Sequence, residues 1–164
     1  MVTKEEMINE QLKGRDIHDP NVLEAMRETE RSIFVPEDLQ HLAYADGPLP
    51  IGESQTISQP YIVAYMAQVL DIKKDDKVLE IGTGCGYNAA VLSHLAGEVY
   101  SIEIIEWLGK LAKENLSKTD RKNIHTRIGD GYEGWPEGAP FDAIEITAAP
   151  PKIPETLKKQ LKIG

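Results

Sequence analysis

A short apolar run followed by three closely spaced glycines is the feature that most constrains the fold of this chain. Residues 77–81, Lys-Val-Leu-Glu-Ile, are typical of a buried strand, and glycines follow at positions 82, 84 and 86. Glycine has no Cβ, so it allows positive φ and a close approach between the backbone and a ligand. A helix that begins near Tyr87 would start with unpaired N–H groups facing the same ligand. The segment therefore predicts a strand–turn–helix unit with a ligand site on an α/β sheet.

The spacing of these glycines narrows the class of ligand. The dinucleotide-binding fingerprint is Gly-x-Gly-x-x-Gly, whereas here Tyr87 stands where its third glycine should be. No Lys-Ser or Lys-Thr pair follows the glycines, as a phosphate-binding loop would require. A nucleoside ligand without phosphates fits better, and we expect S-adenosyl-L-methionine.

Two further strand-like segments end in groups that such a ligand needs. Residues 98–103 end at Glu103, about 20 residues beyond the glycine turn, where doubly wound folds place a carboxylate on the ribose hydroxyls. Residues 124–128 precede the run Gly129-Asp-Gly131, in which the Asp130 carboxylate can accept a hydrogen bond from an adenine amino group. Each feature alone also fits an ordinary strand end or turn. Together they predict a nucleoside site at the carboxyl ends of three consecutive strands.

Composition limits the class of partner. The 164 residues suit one domain, 1–164, and the net charge of −9 disfavours nucleic acid because phosphate contacts need a basic face. We expect no membrane partner, since no apolar run is long enough to span a bilayer and the N-terminus is charged. The one cysteine, Cys85, favours the reducing cytoplasm as the location. The four scattered histidines lack metal-ligand spacing, so we expect no metal.

Capping signals and periodicity predict the order of the elements. The expected elements are a helix from Thr3 to about Lys13, a helix from Asp19-Pro20 to about Glu28, a short helix from Pro36, a loop over 44–55, a helix capped by Ser58, strand 77–81, helix 87–96, strand 98–103, helix 105–118, strand 124–128, strand 141–147 and helix 153–162. The alternation predicts a Rossmann-like α/β fold with a parallel sheet. Residues 1–70 would form N-terminal helices with a substrate and cofactor loop, and residues 71–164 the cofactor-binding core.

Several segments, in order along the chain, resemble the protein-L-isoaspartate O-methyltransferases. The most specific is the run from Tyr44 to Pro60, which ends in Thr-Ile-Ser-Gln-Pro. The glycine turn, Gly129-Asp-Gly131, Thr147-Ala-Ala149 and residues 160–164 also match the family. The resemblance implies transfer of a methyl group from S-adenosylmethionine to the free carboxylate of isoaspartyl or D-aspartyl residues in damaged proteins. The product of the cofactor would be S-adenosylhomocysteine.

The resemblance also implies which residues form the site. Ser58 matches the serine regarded as the active-site residue, near both methyl donor and substrate, although helix capping would be a purely structural role for it. The expected cofactor-binding residues are Thr56, Ile57, Ser58, Glu80, Gly82, Gly84, Cys85, Gly86, Glu103, Asp130 and Gly131. Tyr61 stands where the family often has a histidine that lies near the substrate.

The end of the chain carries a separate expectation. The family continues past Gly164 through further strands and a segment that holds the isoaspartyl group, so we expect this chain to lack the C-terminal part of that fold. Strand 141–147 would then have a bare edge through which the chain could self-associate, whereas the complete fold is expected to be monomeric. Two alternatives stay open: a truncated fragment that binds S-adenosylmethionine without turnover, and a methyltransferase acting on another small substrate or on nucleic acid.

Overall fold

The first 70 residues form short helices and a hairpin. In the computed structural model, which describes residues 1–164, the elements are helix α1 (Lys4–Glu6) continuing as a π-helix (Met7–Lys13), helix α2 (Pro20–Glu28), two 3-10 helices (Arg31–Phe34 and Glu37–Leu42), strands β1 (Leu49–Gly52) and β2 (Gln55–Ile57), and helix α3 (Pro60–Leu70). The expected capping box is present, because the Glu6 amide donates to Thr3 Oγ1 at 3.2 Å and the Thr3 amide donates to Glu6 Oε2 at 2.7 Å. The predicted start and end of α2 are likewise confirmed.

Two predictions for this region were wrong. Residues 49–57, most of which were expected to be loop, form an antiparallel hairpin that pairs Leu49 with Ile57. A two-stranded sheet has only edge strands, which tolerate proline, so Pro50 does not prevent the pairing. Ser58 is not a helix cap: α3 begins at Pro60, and no side chain caps it. Proline at the first helical position has no amide that needs an acceptor, which reduces the need for a cap.

The remaining residues form a parallel α/β unit. Its elements are strand β3 (Lys77–Ile81), helix α4 (Tyr87–Ser93), strand β4 (Glu98–Glu103), helix α5 (Glu106–Ser117), strand β5 (Ile124–Ile128), a 3-10 helix (Gly131–Glu133), strand β6 (Ala143–Ile146) and helix α6 (Glu155–Lys159). The strand order is β5-β4-β3-β6 and every pairing is parallel. The predicted Rossmann-like fold with a four-stranded parallel sheet is confirmed, and β3, β4 and β5 have the expected bounds.

The last helix is shorter than predicted because the residues after it pair with the sheet. The Phe141 amide donates to the Gln160 carbonyl at 2.8 Å, and the Lys162 amide donates to the Phe141 carbonyl at 2.8 Å. These bonds form a parallel bridge between Phe141 and Leu161. No strand pairs with the outer edge of β6 beyond this bridge, so β6 is an edge strand as expected, although its edge is not wholly bare. Helix α4 also ends early, at Ser93, where the last turn tightens to i→i+3 bonds.

Two apolar clusters cover the two faces of the sheet. The larger one contains 30 buried residues from both halves of the chain, and within it the rings of Phe34 and Tyr87 meet edge to face at 5.6 Å. The smaller one contains Leu79, Ile81, Ile102, Phe141 and Leu157. The N-terminal helices therefore pack against the same face as the helix that follows the glycine turn. None of the helices is both long enough and apolar enough to cross a bilayer.

Candidate functional site

A cavity of about 550 Å³ lies at the carboxyl ends of β3, β4 and β5. Its volume falls within the range of roughly 300–1,000 Å³ typical of small-molecule sites. Nine of the expected cofactor-binding residues line it: Thr56, Ile57, Ser58, Gly82, Gly84, Cys85, Glu103, Asp130 and Gly131. One side of the cavity is formed by residues 82–88, which we call the glycine wall. Another side is formed by the hairpin together with Ser58, residues 49–58, which we call the hairpin wall.

Two of the expected residues do not line the cavity. Gly86 precedes the first residue of α4 with a φ of 94°, and a Cβ there would lie 3.2 Å from Leu116 Cγ and 3.4 Å from Ala112 Cβ. Its small size therefore serves the packing of α4 against α5. The Glu80 side chain is fully buried inside the sheet. Neither residue lines this cavity, so the expected contact of each with the cofactor stays a prediction.

The glycine wall approaches the end of β6 closely. Gly82 has a φ of 100°, and a Cβ there would lie 2.3 Å from Thr147 Oγ1. The Thr147 hydroxyl donates to the carbonyls of Ile81 and Gly82, at 2.8 and 2.9 Å. Thr147 also lines the cavity; its segment was among those that resemble the family, but it was not among the expected cofactor-binding residues. Glycine at position 82 is thus required both by its backbone conformation and by this contact.

A buried carboxylate fixes the shape of the glycine wall. Glu103 is 6% exposed, and its carboxylate accepts from the Gly84 amide at 2.7 Å and from the Ile105 amide at 3.0 Å. Each oxygen has a further lone pair, so both can still accept from a ligand hydroxyl. Asp130 is held similarly, because its Oδ1 accepts from the Tyr132 amide at 2.9 Å. The cavity therefore presents two positioned carboxylates beside a backbone that can approach a ligand closely.

A second acidic cluster lies behind the glycine wall. Glu80 and Glu145 are paired residues on neighbouring strands, and the Asn88 side-chain amide donates to both carboxyl groups. Ser101 donates to Glu80 as well. Burial, and secondly the charge of Glu145, raise the pKa of Glu80 to about 8, and burial raises the pKa of Glu145 to about 7. Two like charges in a buried site repel, so this pair retains a proton at neutral pH.

The hairpin wall is held by different contacts. Ser58 lines the cavity and its backbone carbonyl accepts from Arg31 Nη2 at 2.8 Å. At the hairpin tip, a Cβ on Gly52 would lie 2.8 Å from Trp107 Cζ3. Tyr61 does not line the cavity: its hydroxyl donates to Asp16 at 2.7 Å on the outer surface. The aromatic residue at that position therefore contacts the N-terminal helices rather than the cavity.

The cysteine of the glycine wall is not arranged as a nucleophile. Cys85 is 3% exposed, and burial raises the pKa of its thiol to about 11. A thiol with that pKa is protonated at neutral pH, and only the thiolate is a good nucleophile. We also find no cluster of three or more His, Cys, Asp or Glu side chains that could hold a metal ion.

Apolar residues complete the cavity, and sequence reasoning missed them. Ile104, Ile105 and Leu108 lie where β4 passes into α5, and Tyr132 follows Asp130. They are the kind of surface that packs against a planar heterocycle. Their place directly after Glu103 was the one signal available, because the residues next to Glu103 necessarily lie at the same end of the sheet.

The fold and the cavity together define a class of protein: an open parallel α/β sheet that binds a small molecule at the carboxyl ends of its strands. The family model of the protein-L-isoaspartate (D-aspartate) O-methyltransferases matches residues 2–164. The chain belongs to this family.

Individual relatives agree with this assignment. A protein-L-isoaspartate O-methyltransferase from Opitutus terrae is 58% identical over 161 residues, covering 98% of this chain and 69% of that protein. One from Picosynechococcus is 50% identical, with 98% and 72% covered. A solved protein-L-isoaspartate O-methyltransferase superposes with a TM-score of 0.89 at 33% identity, over 98% of this chain and 52% of that one. A second solved structure, a protein from Plasmodium falciparum in complex with S-adenosyl-L-homocysteine, has a TM-score of 0.82 at 23% identity and shares the fold.

Proposed function

We propose that this chain transfers a methyl group from S-adenosyl-L-methionine to the free carboxylate of L-isoaspartyl and D-aspartyl residues in damaged proteins. S-adenosyl-L-homocysteine is the second product, and the methyl ester starts repair by collapsing to a succinimide that reopens partly to aspartate. Membership of the family supports the reaction. The observation that carries the proposal is the single cavity in which the glycine wall, Glu103, Asp130 and Ser58 meet.

The residues present fit the cofactor. The Glu103 carboxylate is the acceptor for the ribose hydroxyls, and Asp130 is the acceptor for the adenine amino group, with Ile104 and Tyr132 against the heterocycle. Gly82 and Gly84 lack the Cβ atoms that would keep the amino-acid end away from the backbone. When bound, the cofactor supplies a methyl group on a sulfonium, which is activated for transfer to a nucleophile.

The proposed nucleophile needs no general base. An aspartyl-type carboxyl group has a pKa of about 4, so at neutral pH it is already an anion. The chain accordingly has to orient the carboxylate and exclude water, because the transfer neutralises charge and a dry site favours it. The Ser58 hydroxyl lies at the cavity and does not cap a helix, so it is available to donate to the substrate carboxylate.

Other parts of the proposal concern partners and location. Damaged proteins and peptides are the proposed partners, and the net charge of −9 supports the absence of a nucleic-acid partner. The single cysteine supports a cytoplasmic location. We also infer that the chain self-associates through the outer edge of β6. This strand lies at the end of the order β5-β4-β3-β6, and its outer edge pairs with no other strand of the sheet.

A labelling assay tests the reaction. Three reactions contain the chain and S-adenosylmethionine labelled in its methyl group. The first also contains an isoaspartyl peptide, the second its normal aspartyl twin, and the third RNA. We expect base-labile label on the isoaspartyl peptide alone, because a methyl ester hydrolyses in base. Cofactor binding without label on any substrate would favour the fragment without turnover, and label on RNA would contradict the proposal.

A further inference from the structure

One buried cation in this chain has no carboxylate partner. The Arg31 side chain, in the first 3-10 helix, is 0% exposed. The arginines that form ion pairs are Arg15, Arg27 and Arg127, and Arg31 is not among them. A buried ion without a counter-charge costs several kcal/mol. An uncharged side chain could fill the same space without this cost, so packing alone does not explain the charge of Arg31.

The contacts of Arg31 place it directly behind the cavity. Its Nε donates to the Ala43 carbonyl at 2.7 Å, and its Nη2 donates to the Ser58 carbonyl at 2.8 Å. The guanidinium lies over the Tyr87 ring, 4.7 Å from the centroid. Nη1 is buried without a hydrogen-bond partner. Burial lowers the pKa of the guanidinium, yet arginine stays charged at neutral pH.

These contacts connect both walls of the cavity through one side chain. Ala43 precedes the hairpin, Ser58 follows it, and Tyr87 is the first residue of α4. Ser58 and Tyr87 both line the cavity. Removal of Arg31 would therefore leave the Ser58 carbonyl without its donor and would remove a positive charge from behind the cavity wall.

The charges around the cavity are arranged asymmetrically. The carboxylates of Glu103 and Asp130 lie at the ends of β4 and β5, whereas Arg31 lies behind Ser58. A cofactor that carries a sulfonium fits the side with the carboxylates. An anion fits the side with Arg31, because a partly desolvated charge attracts an opposite charge more strongly than it would in water.

We propose that Arg31 is a positioning residue for the substrate carboxylate, which its fixed positive charge attracts to the Ser58 side of the cavity. The inference rests on the proposed function, since it names the group that selects the anionic substrate. Methyl transfer converts the carboxylate to a neutral ester, so this attraction is stronger in the bound ground state than in the transition state. Loss of the charge should therefore raise KM for the peptide without lowering kcat.

Equilibrium binding tests the inference without turnover. An isoaspartyl peptide, and the same peptide with that carboxylate converted to a carboxamide, are titrated calorimetrically into the S-adenosylhomocysteine complexes of the wild-type chain, Arg31→Met and Arg31→Lys. We expect Arg31→Met to raise Kd for the carboxylate peptide at least about tenfold, the scale of one charged interaction. Arg31→Lys keeps a cation but cannot reproduce the forked contacts with Ala43 and Ser58 or the stacking on Tyr87, so its Kd for the carboxylate peptide should lie between those of the wild type and Arg31→Met.

Controls separate attraction from a merely structural effect. Arg121→Met removes another arginine that donates to a backbone carbonyl, that of Ser93 at 2.9 Å, far from the cavity residues, and should change neither Kd. S-adenosylhomocysteine affinity should be unchanged in every variant. If Arg31→Met does not fold, Arg31→Lys decides, because weakening of the carboxylate and carboxamide peptides to the same extent in that variant contradicts the role of charge. Equal weakening of the carboxylate and carboxamide peptides would also overturn the inference.

Failure of the inference and failure of the proposed function are distinguishable. A wild-type chain that binds and methylates the isoaspartyl peptide, together with an Arg31→Met variant of equal Kd and KM, overturns the inference alone. A wild-type chain that neither binds nor methylates the peptide overturns the proposed function and the inference together.

Discussion

The two walls of the cavity are stabilised in opposite ways. The glycine wall follows directly on strand β3: its Gly84 amide donates to Glu103, and its Asn88 side chain donates to the cluster of buried acids behind it. The hairpin wall is a two-stranded sheet of seven residues, held by the buried cation Arg31 and by an exposed indole, Trp107. Protonation of Glu80 and Glu145 can therefore change the support of the glycine wall. The hairpin wall depends instead on the charge of Arg31, which does not titrate near neutral pH.

This difference suggests a division of work between the walls. A ligand bound against the glycine wall meets backbone that the sheet already holds in place, so little further ordering is needed. The hairpin wall has fewer hydrogen bonds to the rest of the chain, so we expect it to shift more readily when a ligand binds. We therefore assign the cofactor to the glycine wall and recognition of the substrate to the hairpin wall, and the following predictions test that assignment.

The largest expected effect is on cofactor binding. Glu103→Ala removes the acceptor of the Gly84 and Ile105 amides together with the proposed ribose contact, and should weaken S-adenosylmethionine binding by about 1.5–3 kcal/mol. Calorimetric titration measures this change. Glu106→Ala is a matched control, because its exposed carboxylate only pairs with Lys110 on the next turn. Unchanged affinity in Glu103→Ala would remove this residue from the site and break the assignment of the cofactor to the glycine wall.

A pH effect should be specific to the acids behind the glycine wall. Burial raises the pKa of Glu145 to about 7 and that of Glu80 to about 8, from an ordinary value of 4.5, so the folded chain binds more protons than the unfolded chain between about pH 4.5 and pH 8. The free energy of unfolding should therefore fall as the pH rises from about 5 to 8.

Replacement of one acid should flatten this dependence. We expect Glu145→Gln to be more stable than the wild type by about 1 kcal/mol at pH 8 and little changed at pH 5. Urea unfolding at a series of pH values gives the comparison. Glu155→Gln alters an exposed carboxylate whose pKa is lowered by Lys158, and should leave the slope between pH 5 and 8 as it is. A wild-type stability that is flat or rising over this range would contradict the prediction.

Ser58 gives a smaller effect on the hairpin wall. If its hydroxyl orients the substrate carboxylate, Ser58→Ala should lower kcat/KM for an isoaspartyl peptide. The loss should correspond to about 0.5–1.5 kcal/mol of activation free energy, the scale of one hydrogen bond. Since Ser58 does not cap α3, its free energy of unfolding should change by less than about 0.5 kcal/mol. Ser117→Ala, remote and exposed, serves as the control. A loss of stability that accounts for the whole loss of turnover would show a structural role instead.

The smallest expected effect concerns the sheet edge beside the glycine wall. The outer edge of Ala143–Ile146 has no strand partner, so we expect weak, concentration-dependent association at high protein concentration or on mild heating. The Phe141–Leu161 bridge covers one end of the edge and should limit this association. Light scattering over a range of concentrations measures it. A mass of one chain at every concentration and after heating would show that the edge is protected.

The sequence predicted the α/β half of the chain better than the N-terminal half. Strands β3, β4 and β5 could be placed to the residue because alternating β-rich runs end at glycine or acidic turns, which are local signals. The hairpin was missed because its proline and glycines are also typical of loops, and its pairing depends on contacts rather than composition. The widening of the first helix to π geometry has no sequence signal that we used.

The candidate site shows the same distinction. Glu103 and Asp130 could be placed from the sequence, because the rule that ligands bind at the carboxyl ends of parallel strands is a rule of topology. Glu80 does not line the cavity, because strand residues alternate between faces and its buried side chain lies on the face of β3 that meets Asn88 of α4, so its expected contact with the cofactor stays a prediction. Arg31, Trp107 and Thr147 depend on contacts between residues far apart in sequence, and no local pattern reveals those.

The position of Trp107 has a practical consequence for studying this protein. Its ring lies against the hairpin tip at Gly52 and is 51% exposed, so displacement of the hairpin would change its solvent contact. The other tryptophan, Trp135, packs under the Arg127 guanidinium in a cluster on β4 and β5. A Trp135→Phe variant would therefore leave one tryptophan, which lies against the hairpin tip. Its emission and quenching would report hairpin movement in real time, without any attached dye.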